Sequence, residues 1–282
     1  MTFTAAQEAA ARTEIVRVGQ LLYQKGYIVS NDGNISVRLD ENHVLCTPSG
    51  LCKGMMRQEE LLIIDMDGNR ADTPNAINRN LRPTSEMAMH LEVYKNRPDV
   101  GAVVHCHPPT AVALSIANVS LTDCMLPEVI VTLGLIKMTP YSTPSSEENA
   151  TAIRDAIKTH DAILLQRHGT LAVGNSPMQA FHRTESIEQI AKITFMAKLM
   201  GGGEPLPPHQ VEKLLAQRAA LGLAHGESEA AEFCEICGAT HPQGTACPVT
   251  FPAEKPASSG TVDDALVAEI TRRVLEKLHQ SR

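Results

Sequence analysis

The chain contains no run of about eighteen uninterrupted apolar residues, the length a helix needs to cross a bilayer, which argues against a membrane-spanning protein. Its start, Met1-Thr2-Phe3-Thr4 with Glu8 and Glu14 close behind, lacks the basic residues and apolar stretch of a secretory signal, so a cytoplasmic location is expected. A clustered basic segment is also missing. Lys and Arg number 25 against 32 Asp and Glu, giving a formal charge of -7, and cations scattered in this way argue against nucleic acid as the main partner. A small anionic substrate can still be received by local groups. Seven cysteines, an odd number, lie mostly within apolar segments, and without a secretion signal reduced thiols are expected rather than a disulfide framework. No internal repeat is visible.

The 282 residues suffice for one large domain plus something smaller. From residue 1 to about 200, helical and strand patterns alternate. Ala5 to Lys25 has helical periodicity, with Gly26 placed to stop it. Short strands are expected at Ile35-Arg38, His43-Thr47 and Leu62-Asp65, with a turn at Met66-Asp67-Gly68-Asn69. A helix from Ser85, a strand ending at His105, and further strands at Ile136-Met138, Ala162-Gln166 and Leu171-Val173 follow, closed by a long helix from Met178 to Leu199. This pattern predicts an α/β layered domain with a central, largely antiparallel sheet flanked by helices. The Gly/Pro-rich stretch Gly201 to Pro208 ends it. Residues 201–260 then read as linker, a helix at Val211 to Leu221 and a Cys-rich segment, and residues 261–282 as an amphipathic helix.

The strand Val103-Val104-His105-Cys106-His107-Pro108 carries the chemistry. Successive strand residues point to opposite faces, so His105 and His107 share one face and can reach one ion. Burying two imidazoles side by side costs desolvation that a metal would offset. His168, at the end of the apolar run Ala162-Leu165-Gln166-Arg167, offers a third imidazole, although a lone histidine at a strand end can equally be a polar cap.

Three segments have the composition of an anion cradle: Asn31-Asp32-Gly33-Asn34-Ile35-Ser36, Thr47-Pro48-Ser49-Gly50 and Arg82-Pro83-Thr84-Ser85-Glu86. Glycines let the backbone approach an oxyanion, while hydroxyls and free N–H groups donate to it. Turns and helix caps use the same residues. Glu86 shares the ambiguity, since a first-turn glutamate suits the helix dipole, yet a carboxylate beside a metal-bound carbonyl can move a proton at the adjacent carbon.

In order, Gly33-Asn34-Ile35-Ser36, Thr47-Pro48-Ser49-Gly50, Thr84-Ser85-Glu86, His105-x-His107 and Gln166-x-His168-Gly169 resemble the class II aldolase/adducin family, in particular its fuculose-phosphate aldolase branch. The resemblance covers about residues 10–200. It implies Zn2+, or another divalent metal, on His105, His107 and His168, with Glu86 as acid/base. It implies further that Asn31, Asn34, Ser49, Gly50, Thr84 and Ser85 hold the substrate's phosphate, and that the enzyme is a homotetramer with active sites at subunit interfaces. The implied reaction is reversible cleavage of a ketose 1-phosphate, such as L-fuculose 1-phosphate, into dihydroxyacetone phosphate and an aldehyde such as L-lactaldehyde. The family's tyrosine in the segment after the His-x-His helix has no match among Leu121 to Gly134, where Glu128 and Asp123 are the acids. A sugar-phosphate epimerase or dehydratase on the same metal site, or a non-catalytic adducin-like assembly module, are the alternatives.

Two tail motifs remain. Cys234-x-x-Cys237, His241 and Cys247 are the donor types of a tetrahedral structural zinc site, a flexible segment with incidental thiols being the alternative. Val262, Leu266, Ile270, Val274 and Leu278 recur at four-residue spacing behind the Pro252 to Gly260 linker. That helix resembles the encapsulation peptides that tether enzymes inside bacterial microcompartments, which implies a shell protein as partner for residues 261–282.

Overall fold

A computed structural model describes residues 2–225 and 227–237. Helix α1 (Ala5–Gln24) starts where the Thr4 hydroxyl accepts from the Gln7 amide and the Gln7 side chain reaches back to Thr4, a reciprocal cap for two orphan donors. It stops at Gly26, whose φ of 70° is left-handed. Strands β1 (Asn34–Arg38), β2 (His43–Cys46) and β3 (Leu62–Asp65) form an antiparallel meander. Helix α2 (Met87–Asn96) leads to β4 (Ala102–Cys106), which is followed by α3 (Pro109–Ile116) and α4 (Pro127–Thr132). Then come β5 (Lys137–Thr139), α5 (Glu147–Ile153), β6 (Ala162–Leu165), β7 (Gly169–Gly174) and α6 (Pro177–Leu199).

The seven strands form one sheet in the order β3-β2-β1-β4-β7-β6-β5. Every neighbouring pair is antiparallel except β5 with β6. The largely antiparallel, helix-flanked sheet expected from the sequence is therefore present. Strand β4 is buried along its whole length because helices cover both faces of the sheet. One face packs Val103, Leu171 and Val173 against Met89 and Val93 of α2 and Ile153 of α5. The other packs Ile35, Val104 and Cys106 against Ile15 and Val18 of α1 and Phe181 of α6. Truncating any of these fully buried aliphatic side chains to alanine should cost about 2–5 kcal/mol. The register sets Asn34 of β1 and Leu171 of β7 on either side of His105.

After α6 the chain folds back onto the same body. Helices α7 (Pro208–Ala220) and α8 (Glu227–Ile236) place Val211, Leu215 and Phe233 against Cys124, Ile130 and Leu135. Arg218 of α7 forms a buried ion pair with Glu229 of α8 at 2.9 Å and donates to the Val131 carbonyl, also at 2.9 Å. The helix expected at Val211 to Leu221 corresponds to α7, whereas α8 falls in what the sequence reading took as a Cys-rich segment and was missed.

Two cysteine expectations are corrected here. Cys237 is joined to Cys124 in a disulfide, with the Cα atoms 6.1 Å apart, so not all thiols are reduced and the Cys237 sulfur is not a thiolate ligand. The pairing follows from α8 packing across the segment that carries Cys124, a contact between positions 113 residues apart that spacing cannot reveal. Cys46, Cys52 and Cys106 keep free thiols. His241, Cys247 and the helix expected at residues 261–282 lie outside the described residues. Among the described residues no helix is long and apolar enough to cross a membrane.

Candidate metal centre and active site

Three imidazoles converge at the end of the central strands. His105 is the penultimate residue of β4, and His107 follows on the same face just before α3. His168 comes from the tight turn between β6 and β7, in which Arg167 adopts a φ of 59°. Gly169 makes the approach possible, since a Cβ there would lie 2.7 Å from His107 Cδ2 and 3.0 Å from His105 Cε1. One nitrogen from each of the three rings lies within 4.8 Å of the others.

The donor set fits a metal ion. His105 Nδ1 donates to the Thr170 carbonyl at 2.9 Å, which leaves its Nε2 lone pair facing His107 Nε2 at 3.1 Å. Two lone pairs facing each other repel, whereas nitrogens bound at about 2.05 Å to one tetrahedral zinc sit about 3.3 Å apart. Asp32 Oδ2 lies 3.5 Å from the far nitrogen of His107, and the backbone N–H of His107 donates to the Tyr27 carbonyl at 2.8 Å. Burial, reinforced by His105 and His168, pushes the His107 pKa down to about 4, which favours the neutral ligand form.

Glu86 sits at the N-cap of α2 but makes no capping bond there. Its carboxylate turns inward, with Oε2 3.1 Å from His105 Nε2 and Oε1 3.3 Å from His168 Nε2. Burial alone would raise its pKa. With His105 protonated, its opposing charge, together with the hydrogen bond from Asn34, outweighs that and holds the carboxyl well below the usual range. Oε1 accepts no hydrogen bond, so this carboxylate keeps an uncommitted lone-pair face toward the imidazoles.

Behind Glu86 runs a buried polar chain. The Asn34 amide donates to Glu86 Oε2 at 2.9 Å, and its oxygen faces His90 Nε2 at 2.5 Å. His90 Nδ1 meets the Ser36 hydroxyl at 2.7 Å, which in turn meets the Tyr94 hydroxyl at 2.8 Å. Both polar ends of Asn34 are thus occupied. One amide hydrogen supports the carboxylate, and Asn34 also lines the anion cavity described next, beside His105, its partner across the β1–β4 pairing.

The three cradle segments do meet. Pro48 and Pro83 form an isolated bridge, and Ser49 N–H donates to the Arg82 carbonyl at 2.9 Å. With the first loop they enclose a cavity of about 210 Å3 that touches Asn31, Ser49, Gly50, Thr84 and Ser85, and opens onto Glu86, His107 and His168. Gly33 and Gly50 take left-handed φ values of 69° and 77° there. Sequence reasoning assigned no role to four lining residues: Asp32, Lys53, Pro144 and Ser145. Asp32 and Lys53 could have been found from their positions inside or just after the cradle segments. Ser145, whose hydroxyl donates to Ser85 at 2.9 Å, comes from 60 residues away and left no signal. Glu128 lies on α4 and lines a separate cleft with Lys25, Tyr27 and Glu185.

Three imidazoles and an inward-turned carboxylate beside a hydroxyl-rich cavity, carried on this mixed sheet, define a lyase of the class II aldolase type. The chain belongs to the family described as Class II Aldolase and Adducin N-terminal domain, which matches residues 13–195. A 3-oxo-tetronate 4-phosphate decarboxylase from Haemophilus influenzae is 33% identical over 192 residues, covering 67% of this chain and 88% of that protein. An L-fuculose phosphate aldolase from Methanococcus maripaludis is 33% identical over 181 residues, covering 64% of this chain and 94% of the relative. Among solved structures, an L-fuculose 1-phosphate aldolase superposes with a TM-score of 0.65 at 27% identity, over 73% of this chain and 94% of that one.

Proposed function

We propose that this chain is a metal-dependent aldolase that reversibly cleaves a ketose 1-phosphate, of the L-fuculose 1-phosphate type, to dihydroxyacetone phosphate and an aldehyde. The observation that carries the reading is the Glu86 carboxylate, within 3.1–3.3 Å of two converging imidazoles and open to the anion cavity. A divalent ion on His105, His107 and His168, with zinc suiting the imidazole set, would supply Lewis-acid stabilisation of the negative charge that develops on substrate oxygens as the carbon–carbon bond breaks.

Phosphate binding and the proton at the donor carbon fall to the protein's own groups, and the proton of the aldehyde-side hydroxyl passes to water. Ser49, Gly50, Thr84, Ser85 and Asn31 hold the phosphate, so the sugar's carbonyl end is directed toward Glu86. In the synthetic direction the ionised Glu86 takes a proton from the carbon beside the carbonyl of dihydroxyacetone phosphate; in cleavage it returns that proton to the same carbon. Asn34 holds Glu86 Oε2, leaving Oε1 to act.

A second reading is decarboxylation of a 3-oxo acid phosphate on the same groups. It is favoured by the 33%-identical decarboxylase and by the placement of Glu128 in a different cleft. Loss of carbon dioxide leaves the same kind of carbanion but needs no group to accept the proton of the aldehyde-side hydroxyl. Incubating the metal-loaded protein with L-fuculose 1-phosphate and with a 3-oxo-tetronate 4-phosphate separates the two. Dihydroxyacetone phosphate released from L-fuculose 1-phosphate supports the first; carbon dioxide released from the 3-oxo acid, with dihydroxyacetone phosphate as its co-product, supports the second; and no product from either substrate overturns both.

The same proposal includes a cytoplasmic homotetramer whose residues 261–282 dock on a microcompartment shell protein, supported by the four-residue apolar spacing behind a Pro-rich linker. A fluorescent cargo carrying residues 261–282 that stays diffuse beside co-expressed shell proteins would remove the shell part, and light scattering tests the tetramer.

A further inference from the structure

The cavity beside the histidines contains two carboxylates, Asp32 and Glu86. Unopposed, they would repel a phosphate dianion from the place where the hydroxyls and backbone donors gather. Among the described lining residues one lysine or arginine is present, Lys53. It is 2% exposed. Its main chain is pinned against α1, where a Cβ on Gly19 would come within 3.0 Å of the Lys53 carbonyl carbon, so the side chain leaves from a fixed point.

The ammonium donates to the Asn31 carbonyl at 2.6 Å, and no carboxylate is paired with it. An ammonium has three donors and a full charge, and a single neutral carbonyl does not offset the cost of removing it from water. Burial accordingly pulls the Lys53 pKa down, opposed by the more distant charges of Asp32, Cys52 and Glu86. A buried cation with spare donors, on the wall of a cavity built for an oxyanion, is complementary to a ligand that carries two negative charges.

We propose that Lys53 is a phosphate-binding residue of this site, whose ammonium pairs with the substrate's phosphate and makes the enzyme select phosphorylated over neutral ketoses. This rests on the reading of the cavity as the phosphate pocket of a sugar-phosphate lyase. Lys53 also ties that pocket to the Asn31 loop, so the cation that receives the phosphate braces one of the segments that cradle it.

Calorimetric titration of the full-length, metal-loaded protein with dihydroxyacetone phosphate, inorganic phosphate and uncharged dihydroxyacetone tests the idea without turnover. Lys53→Met should weaken both phosphate ligands by roughly 10- to 100-fold and leave dihydroxyacetone unchanged, because a charge-assisted hydrogen bond is lost only with the charged ligands. Lys53→Arg, which keeps the charge, should recover part of the loss. Equal affinities for wild type and Lys53→Met, or parallel losses for dihydroxyacetone, would overturn the assignment. If Lys53→Met does not fold, the Nζ resonance of 15N-lysine-labelled wild type, identified by its absence in Lys53→Arg, should move on adding inorganic phosphate; a resonance that stays still also overturns it. Lys53-dependent phosphate binding without cleavage of any sugar phosphate would remove the lyase reading alone, whereas cleavage with charge-blind binding would remove the role of Lys53 alone.

Discussion

His90 Nε2 donates to Asn34 Oδ1 at 2.5 Å, and this bond fixes the direction of every other bond behind the Glu86 carboxylate. A carboxylate only accepts, so Asn34 presents its NH2 to Glu86 and its oxygen to His90. His90 must then carry its proton on Nε2, which leaves Nδ1 to accept from Ser36, and Ser36 to accept from Tyr94. Burial, together with the nearby His105 charge, pushes the His90 pKa down to about 3, so the ring stays neutral in this tautomer near neutral pH.

His90 is on this basis a positioning residue for Glu86. His90→Phe should lower kcat by roughly 10- to 100-fold with little change in KM or bound metal, the usual scale for losing such a supporting bond. His90→Gln, whose amide nitrogen can replace Nε2 as the donor to Asn34, should recover much of the rate. Steady-state kinetics with elemental analysis checks this. A parallel fall in metal content and kcat, unrelieved in His90→Gln, would instead make the role structural.

Removing a histidine and neutralising the carboxylate should have separable effects. His107→Ala deletes one of three converging lone pairs and should abolish both bound metal and turnover. Glu86→Gln keeps the shape but cannot take a proton, so it should retain the metal and lose about 10²- to 10⁴-fold in rate. Metal stoichiometry and product release measured on the same preparations decide the matter, and near wild-type turnover by Glu86→Gln would remove the acid/base assignment.

Gly169→Ala tests the closeness of the strands without touching a ligand. The new Cβ would lie closest to the Cys106 carbonyl oxygen of β4, then 2.7 Å from His107 Cδ2 and 3.0 Å from His105 Cε1, so the neighbouring strand and both rings must shift. Metal affinity should fall by roughly 10- to 100-fold while the protein stays folded, at a cost of about 1–3 kcal/mol for the overpacking. Competition against a metal-chelating dye reads the first quantity and urea unfolding the second.

What the sequence disclosed followed local periodicity. His105 and His107 share a face because strands repeat every two residues, and β4 reads as apolar because it is central. The convergence of His168 depends on β7 lying beside β4, a strand order that no short motif encodes. The support of Glu86 by Asn34 and His90 was hidden for the same reason, since it needs β1 and α2 to meet across one face. Helix α4 is only six residues long, too short for a helical period, so local patterning could not place Glu128. The Cys-x-x-Cys spacing suggested a metal, and the packing of α8 paired Cys237 with Cys124 instead.

Away from the three converging imidazoles, Asp161 sets part of the acid stability. It takes Arg97 at 2.9 Å, Arg183 and, at 3.2 Å, His225 from the segment between α7 and α8. Burial would raise its pKa from 3.8, but His225, Arg183 and Arg97 overcome that and hold it well below. The folded protein thus keeps Asp161 ionised at pH values where the unfolded chain has bound a proton. Its contribution is complete above the unfolded value of about 3.8 and is lost as pH falls toward the depressed folded one. Asp161→Asn should destabilise the protein by about 3 kcal/mol near neutral pH, the lower end for breaking a buried pair. The low end applies because Arg97 keeps Asp99 at 2.7 Å. The gap between variant and wild type should narrow as pH is lowered from neutrality to about pH 3, since the unfolded wild-type chain then takes up a proton that its folded form excludes, a stabilisation of the unfolded state the variant lacks. Urea unfolding at the two pH values measures it, and a gap that stays constant or widens in acid would show that Asp161 is not held low by its cationic partners.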